Sequence, residues 1–193
     1  MIFKRGANIF LFKFTSNTQV QFSMNLLEFI RDIPDFPEKG IVFKDITPLL
    51  GNSDALKAAL KGLLTLLDGQ QIDKVVGMES RGFFLGPALA MELGAGFVPL
   101  RKPGKLPYST FSQAYGLEYG KDTLEMHTDA IKAGERVLIH DDVLATGGTA
   151  EAASKLVEQA GGEVVQCNFL IELDFLKGRE RIAQYTAHSL IHY

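Results

Sequence analysis

From residue 54 onward, short apolar runs alternate with segments of helical spacing. Ala55, Leu56, Ala59, Leu60, Leu63, Leu64 and Leu67 recur on one helix face, and Asn52 or Ser53 stands where an N-cap belongs. Residues 72–78 read as a buried strand, 82–93 as a packed helix and 96–100 as a further strand. Residues 112–127 suit two strands around the turn-like run 119–122, after a Pro- and Gly-bearing loop at 102–108. Strand 136–139, helix 149–159, strand 164–173 and a terminal strand at 188–192 complete the pattern. This alternation predicts an α/β fold, a mostly parallel twisted sheet with helices on both faces. Ligands in such sheets bind beyond the carboxyl ends of the strands.

The first fifty residues break the pattern. Leu26, Leu27, Phe29, Ile30 and Ile33 suggest a short helix over 25–32, stopped by Pro34 and Pro37. Residues 24–50 are expected to form a small flap on a single domain spanning 24–193. Residues 1–23 are expected to be a separate extension, with Met24 as the physiological start. Lys4 and Arg5 precede an apolar patch, but Lys13 interrupts it and no small-residue cleavage site follows. No apolar run is long enough for a membrane helix. The single cysteine, Cys167, excludes an internal disulfide and suits a reducing, cytoplasmic setting. A net charge of −3 argues against nucleic acid or an anionic membrane as partner. A small anionic substrate needs only a local group of cations.

Residues 136–150, RVLIHDDVLATGGTA, carry the chemistry. A strand runs into adjacent carboxylates, Asp141 and Asp142, then into the loop Ala145, Thr146, Gly147, Gly148 and Thr149, then into a helix. The glycines let backbone approach a ligand closely. Free N–H groups and the dipole at a helix start favour a phosphate. The carboxylates repel phosphate and suit vicinal hydroxyls, because ionised carboxylates only accept hydrogen bonds. A phosphate on the loop and a diol on the acids describe a ribose 5-phosphate. A turn with acids near a helix cap is the plainer alternative. The nucleoside-triphosphate loop G-x-x-x-x-G-K-[ST] and the dinucleotide fingerprint G-x-G-x-x-G after a strand are both absent.

This segment resembles the phosphoribosyl diphosphate (PRPP) signature of the type I phosphoribosyltransferases. Four further stretches, in the same order along the chain, resemble the adenine-specific members of that family: DFPEKGIVFKDIT at 35–47, ESRGFFLGP at 79–87, LRKPGKLP at 100–107 and LEYGK at 117–121. The resemblance runs from Met24 to the C-terminus. It implies transfer of a phosphoribosyl group from PRPP to adenine, giving AMP and pyrophosphate in purine salvage, with Mg²⁺ held through pyrophosphate and ribose hydroxyls. It also implies a homodimer.

Roles follow from the same resemblance. Asp141 and Asp142 would hold the ribose hydroxyls, and Ala145 to Thr149 the 5-phosphate. Arg81 would meet the pyrophosphate after a non-proline cis peptide between Glu79 and Ser80. Arg101, Lys102 and Lys105 would form a second cationic cluster for the diphosphate. Glu118 would manage the proton at purine N7, on a lid segment whose Tyr119 packs over the reacting centre and excludes water. Backbone groups of Val42 and Lys44 would read the adenine edge, with Phe43 lining the pocket. Asp45 would orient the flap or cap a turn.

Two residues depart from the family pattern. His140 stands where an aliphatic residue is usual, and reads as a strand-end histidine on the face opposite Asp141. Lys44 replaces an arginine and forgoes its planar bidentate contact. Cys167, Phe83 and Phe84 read as packing, and His127, His188 and His192 as structural or surface residues. Three other readings remain: transfer to a different base; a PRPP-sensing regulator, whose added helix-turn-helix or basic face is not evident; and a nucleotide-binding module without catalysis, which would be expected to have lost Glu118 or the cluster of Arg101, Lys102 and Lys105.

Overall fold

Residues 31–34 and 42–45 pair with each other as neighbouring strands. The computed structural model describes residues 24–117 and 120–193. It divides into two compact units that part between Gly62 and Leu63. In the first, Leu26–Phe29 form a single 3-10 turn, capped by the Asn25 side chain. The antiparallel pair β1 (Arg31–Pro34) and β2 (Val42–Asp45) follows. The helix expected over 25–32 is therefore a 3-10 turn followed by a strand. The cause is non-local: Asp32 and Ile33 find partners in Lys44 and Phe43, and a pattern this short fits either period. Asp45 accepts from the Thr47 N–H at 2.9 Å and the Thr47 hydroxyl at 2.8 Å, closing the turn before α1 (Thr47–Gly51). The cap of α2 (Ser53–Thr65) is Asn52, whose Oδ1 accepts from the N–H groups of Asp54 and Ala55.

The second unit is built on five strands. β3 (Lys74–Met78) is followed by α3 (Gly82–Leu93) and β4 (Gly96–Leu100), then by the hairpin β5 (Thr110–Leu117) and β6 (Gly120–His127). β7 (Arg136–Leu144), α4 (Gly148–Gln159), β8 (Glu163–Glu172), the short α5 (Gly178–Arg181) and β9 (Ala187–His192) complete it. The sheet order is β4-β3-β7-β8-β9, every pairing parallel, and helices flank it as the alternation predicts. Its centre is sealed by Val76, Met78, Val137, Ile139, Leu156, Cys167 and Phe169, each 1 % exposed or less. Burial pushes the Cys167 thiol up to about 12, so it is inert packing.

β7 extends five residues beyond the expected 136–139, because β8 continues alongside it: Asp141 pairs with Phe169 and Val143 with Ile171. The two acids therefore belong to the sheet. α3 meets the sheet at close range. A Cβ on Gly82 would stand 2.8 Å from the His140 carbonyl oxygen. Phe97 fills the space that side chains on both Gly77 and Gly86 would need, its Cε2 lying 2.7 and 2.6 Å from their ideal Cβ positions. Phe83 packs edge-on to Phe97 at 5.8 Å. Phe84, expected to pack as well, is instead 48 % exposed, because it follows Phe83 by one residue on the helix and so faces another side. No helix among the described residues is long and apolar enough to cross a membrane.

Candidate active site

The end of β7 and the start of α4 enclose a small cavity lined by Met78, Asp141, Val143, Leu144, Phe169 and the whole run Ala145 to Ala150. Gly147 has φ +79 and is the residue before α4, which has no side-chain cap. Left-handed backbone is inexpensive only for glycine, and the uncapped first turn leaves N–H groups for a ligand. The close packing of Gly147 against the Gly178 backbone leaves no room for a side chain there.

Asp142 is 2 % exposed, and its Oδ2 lies 3.2 Å from Arg81 Nε. Among the described residues that oxygen accepts no aligned hydrogen bond. Asp141 Oδ1 accepts from the Asp142 N–H at 2.9 Å. Burial holds the Asp141 carboxyl well above the usual carboxylate range, and the adjacent Asp142 charge adds to this. Burial raises Asp142 too, opposed by the Arg81 guanidinium. An acid pair in this condition favours any ligand that brings hydroxyl donors.

The cationic cluster lies at the end of β4. The Glu79–Ser80 peptide is cis, as the resemblance implies. Arg101 Nε and Nη2 donate to Glu79 at 3.0 and 3.4 Å. Lys102 is ion-paired with Asp122, which also accepts from the Tyr115 hydroxyl at 3.1 Å. The backbone N–H and carbonyl of Arg101 bond to those of Glu125, fastening this loop to β6. Lys105 is exposed.

The structure thus brings together Arg81 with Asp142, and Asp141 with Ala145, Thr146, Gly147, Gly148 and Thr149. Arg101 and Lys102 share one loop root. Val42, Phe43 and Lys44 lie on β2, in the first unit: Val42 is half exposed, Phe43 packs edge-on against Phe36 at 5.2 Å, and Lys44 Nζ meets Asp32 at 2.7 Å. Glu118 and Tyr119 lie outside the described residues. Two acids that the sequence does not single out, Glu79 and Asp122, contact the cationic residues Arg101 and Lys102. The available signal was an acid at the end of a buried strand in a chain with a short cationic run elsewhere, and only the β3–β4 pairing joins the two.

A parallel sheet that ends in an acid pair, a glycine loop and an uncapped helix defines a sugar-phosphate-binding protein of the α/β class. Residues 49–187 match the phosphoribosyl transferase domain family. An adenine phosphoribosyltransferase of Flavobacterium johnsoniae is 61 % identical over 170 residues, 88 % of this chain and 100 % of that one. The crystal structure of the adenine phosphoribosyltransferase from Rhodothermus marinus is 60 % identical, with a TM-score of 0.84, over 87 % of this chain and 96 % of that chain. The Saccharomyces cerevisiae enzyme, solved with adenine and an imino-altritol bisphosphate, is 43 % identical with a TM-score of 0.81 over 86 % of this chain and 96 % of its own. The chain belongs to the phosphoribosyl transferase family and, within it, to the adenine phosphoribosyltransferases.

Proposed function

We propose that this protein transfers the 5-phosphoribosyl group of PRPP to adenine, forming AMP and pyrophosphate in purine salvage. One observation carries the reading: Asp141, next in the strand to the buried Asp142, borders a cavity closed by an uncapped, glycine-led helix start. In this reading the acids accept from the ribose 2- and 3-hydroxyls, and the loop 145–149 donates to the 5-phosphate. Arg81, Arg101, Lys102 and Lys105 hold the diphosphate. Glu118 takes up the purine N7 proton change and Tyr119 covers the centre. Val42 and Lys44 read the base edge through their backbone, with Phe43 beside it.

Breaking the anomeric C–O bond builds positive charge on the ribosyl ring, so positioning and electrostatics do the work. Mg²⁺ fits this chemistry. The carboxylate oxygens of Asp141 and Asp142 are hard acceptors of the kind that suit a hydrated ion carried on substrate oxygens. When bound, it neutralises charge on the departing pyrophosphate. The side-chain cluster Glu172, Asp174 and His192 fits Mg²⁺ poorly, since Arg179 and Ser189 already engage Glu172.

Purified protein with PRPP and Mg²⁺, offered adenine, hypoxanthine, guanine and orotate in turn, should give AMP from adenine and no nucleotide from the others. Product with another base reassigns the flap residues. No product from any base removes the reaction.

The proposal includes a cytoplasmic homodimer. Its support is an apolar stripe on α3, where Phe84 and Met91 are 48 and 82 % exposed and Pro87 stands between them. Two such stripes facing each other would exclude water from both. Met91→Lys should convert the dimer to monomer in light scattering. An unchanged mass would remove α3 from the interface.

A further inference from the structure

Glu79 stands one step beyond the last β3–β4 pair, its N–H donating to the Leu100 carbonyl at 3.0 Å. That step sets its carboxylate beside the root of the cationic loop. Oε2 accepts from Arg101 Nε at 3.0 Å and from the Lys102 backbone N–H at 2.6 Å, while Oε1 accepts from Arg101 Nη2 at 3.4 Å. The hydrogen bond from Arg101 is the chief reason that the Glu79 carboxyl lies below its usual range. The guanidinium carbon also lies 5.9 Å from the Phe83 ring centroid. Backbone and side chain of Arg101 are thus fixed from several directions before any substrate arrives.

We propose that Glu79 is a positioning residue of the diphosphate subsite, holding Arg101 and the root of loop 101–105 in the arrangement that receives the leaving group. The inference rests on the phosphoribosyl-transfer reading. Arg101, Lys102 and Lys105 repel one another, and each long side chain loses rotamer freedom when a ligand orders it. A carboxylate that already orders the arginine and the next backbone N–H removes part of that cost from binding. Glu79 uses two of the five guanidinium N–H donors, so three remain for an anion.

The opposing effect is repulsion between Glu79 and the diphosphate. The Arg101 side chain is 32 % exposed and that of Glu79 18 %, so solvent and the intervening cations screen this repulsion. The ordering acts at hydrogen-bond distance, 2.6–3.4 Å, where screening is weakest. Positioning therefore outweighs competition, and removing the charge should weaken binding.

The test compares the parent protein with Glu79→Gln, Glu79→Asp and Glu79→Ala. Calorimetric titration with pyrophosphate and Mg²⁺ is paired with steady-state kinetics. Glu79→Gln keeps an acceptor for the Lys102 N–H but loses the charge. We expect about a tenfold rise in pyrophosphate Kd and PRPP KM for Glu79→Gln, and about a hundredfold for Glu79→Ala. The KM for adenine should stay within about twofold, and Glu79→Asp should recover part of the loss. Glu79→Gln is close to isosteric and carries the test if Glu79→Ala fails to fold. Pyrophosphate binding by Glu79→Gln equal to or tighter than the parent's would make Glu79 a mere competitor and overturn the proposal. Equal rises in both KM values would mark a general structural role and also overturn it. A parent whose pyrophosphate affinity falls in the Glu79 variants but that forms no AMP supports the positioning role while removing the reaction. A parent that binds no pyrophosphate removes both.

Discussion

Asp141→Asn should lower kcat/KM for PRPP by about 10²–10³-fold and at the same time raise the melting temperature at pH 7.5. The loss of activity follows from the ribose-diol role. Hydrogen bonds to a charged acceptor contribute about 1.5–3 kcal/mol each, so removing the charge beneath two hydroxyls reaches that range. The gain in stability follows from the raised carboxyl. Burial and Asp142 lift Asp141 above its unfolded value, so the folded state binds the proton more tightly. Its favourable contribution is present below the unfolded pKa and is lost as pH rises through the folded value. At pH 7.5 the ionised pair is a net cost, which an amide removes while still accepting from the Asp142 N–H. About 1 kcal/mol corresponds to about 2–4 °C in a domain of this size. The gain should shrink as pH falls toward 4. Asp142→Asn should lose comparable activity without the gain, because it leaves the Arg81 guanidinium without its carboxylate. Scanning calorimetry across pH separates the two, and an Asp141→Asn protein that melts below the parent at pH 7.5 would refute the cost assigned to the pair.

Acid should destabilise the protein through His140, and His140→Leu should suppress that loss. The ring is fully buried; Nδ1 lies 2.9 Å from Asn168 Oδ1, and Nε2 has no hydrogen-bond partner among the described residues. Burial pushes the imidazole down to about 4. The unfolded chain takes up that proton near 6.5. Between these values the unfolded state binds more protons, so stability rises with pH and is lost as pH falls from about 6.5 toward 4. The interval corresponds to about 3 kcal/mol. Urea unfolding at pH 4.5, 5.5, 6.5 and 7.5 should show parent and variant diverging toward the acid end. Parallel profiles would contradict the assignment. Activity at pH 7.5 should persist, since the His140 ring is fully buried and does not line the cavity.

Much of this was legible in the sequence where local pattern and global fold agree. The helix Gly82–Leu93 and the strand Gly96–Leu100 match at both ends; the hairpin's outer ends match within two residues, but residues 120–122, expected in the turn, pair with 115–117 as part of β6. The run from Asp141 to Thr149 was legible as a site because all its parts are contiguous. What pairing decides was not legible. Residues 31–34 became a strand because 42–45 lie beside them. Asp141 and Asp142 joined β7 because β8 keeps going. The hold of Glu79 on Arg101 spans 22 positions and exists only because β3 and β4 run parallel in one register. His140 was read correctly as to face, but its partner Asn168 belongs to the next strand.

Phe97 and the two glycines it covers have a consequence for how this lineage can vary. A methyl group at Gly77 or Gly86 collides with the same ring carbon, so neither position can accept alanine while that ring stays in place. Shrinking Phe97 alone removes its packing over both glycines and its edge contact with Phe83. The three residues therefore form one unit of inheritance. A change at any of them is deleterious alone and tolerable only in combination, so drift among relatives should cross this joint in paired steps or leave it alone.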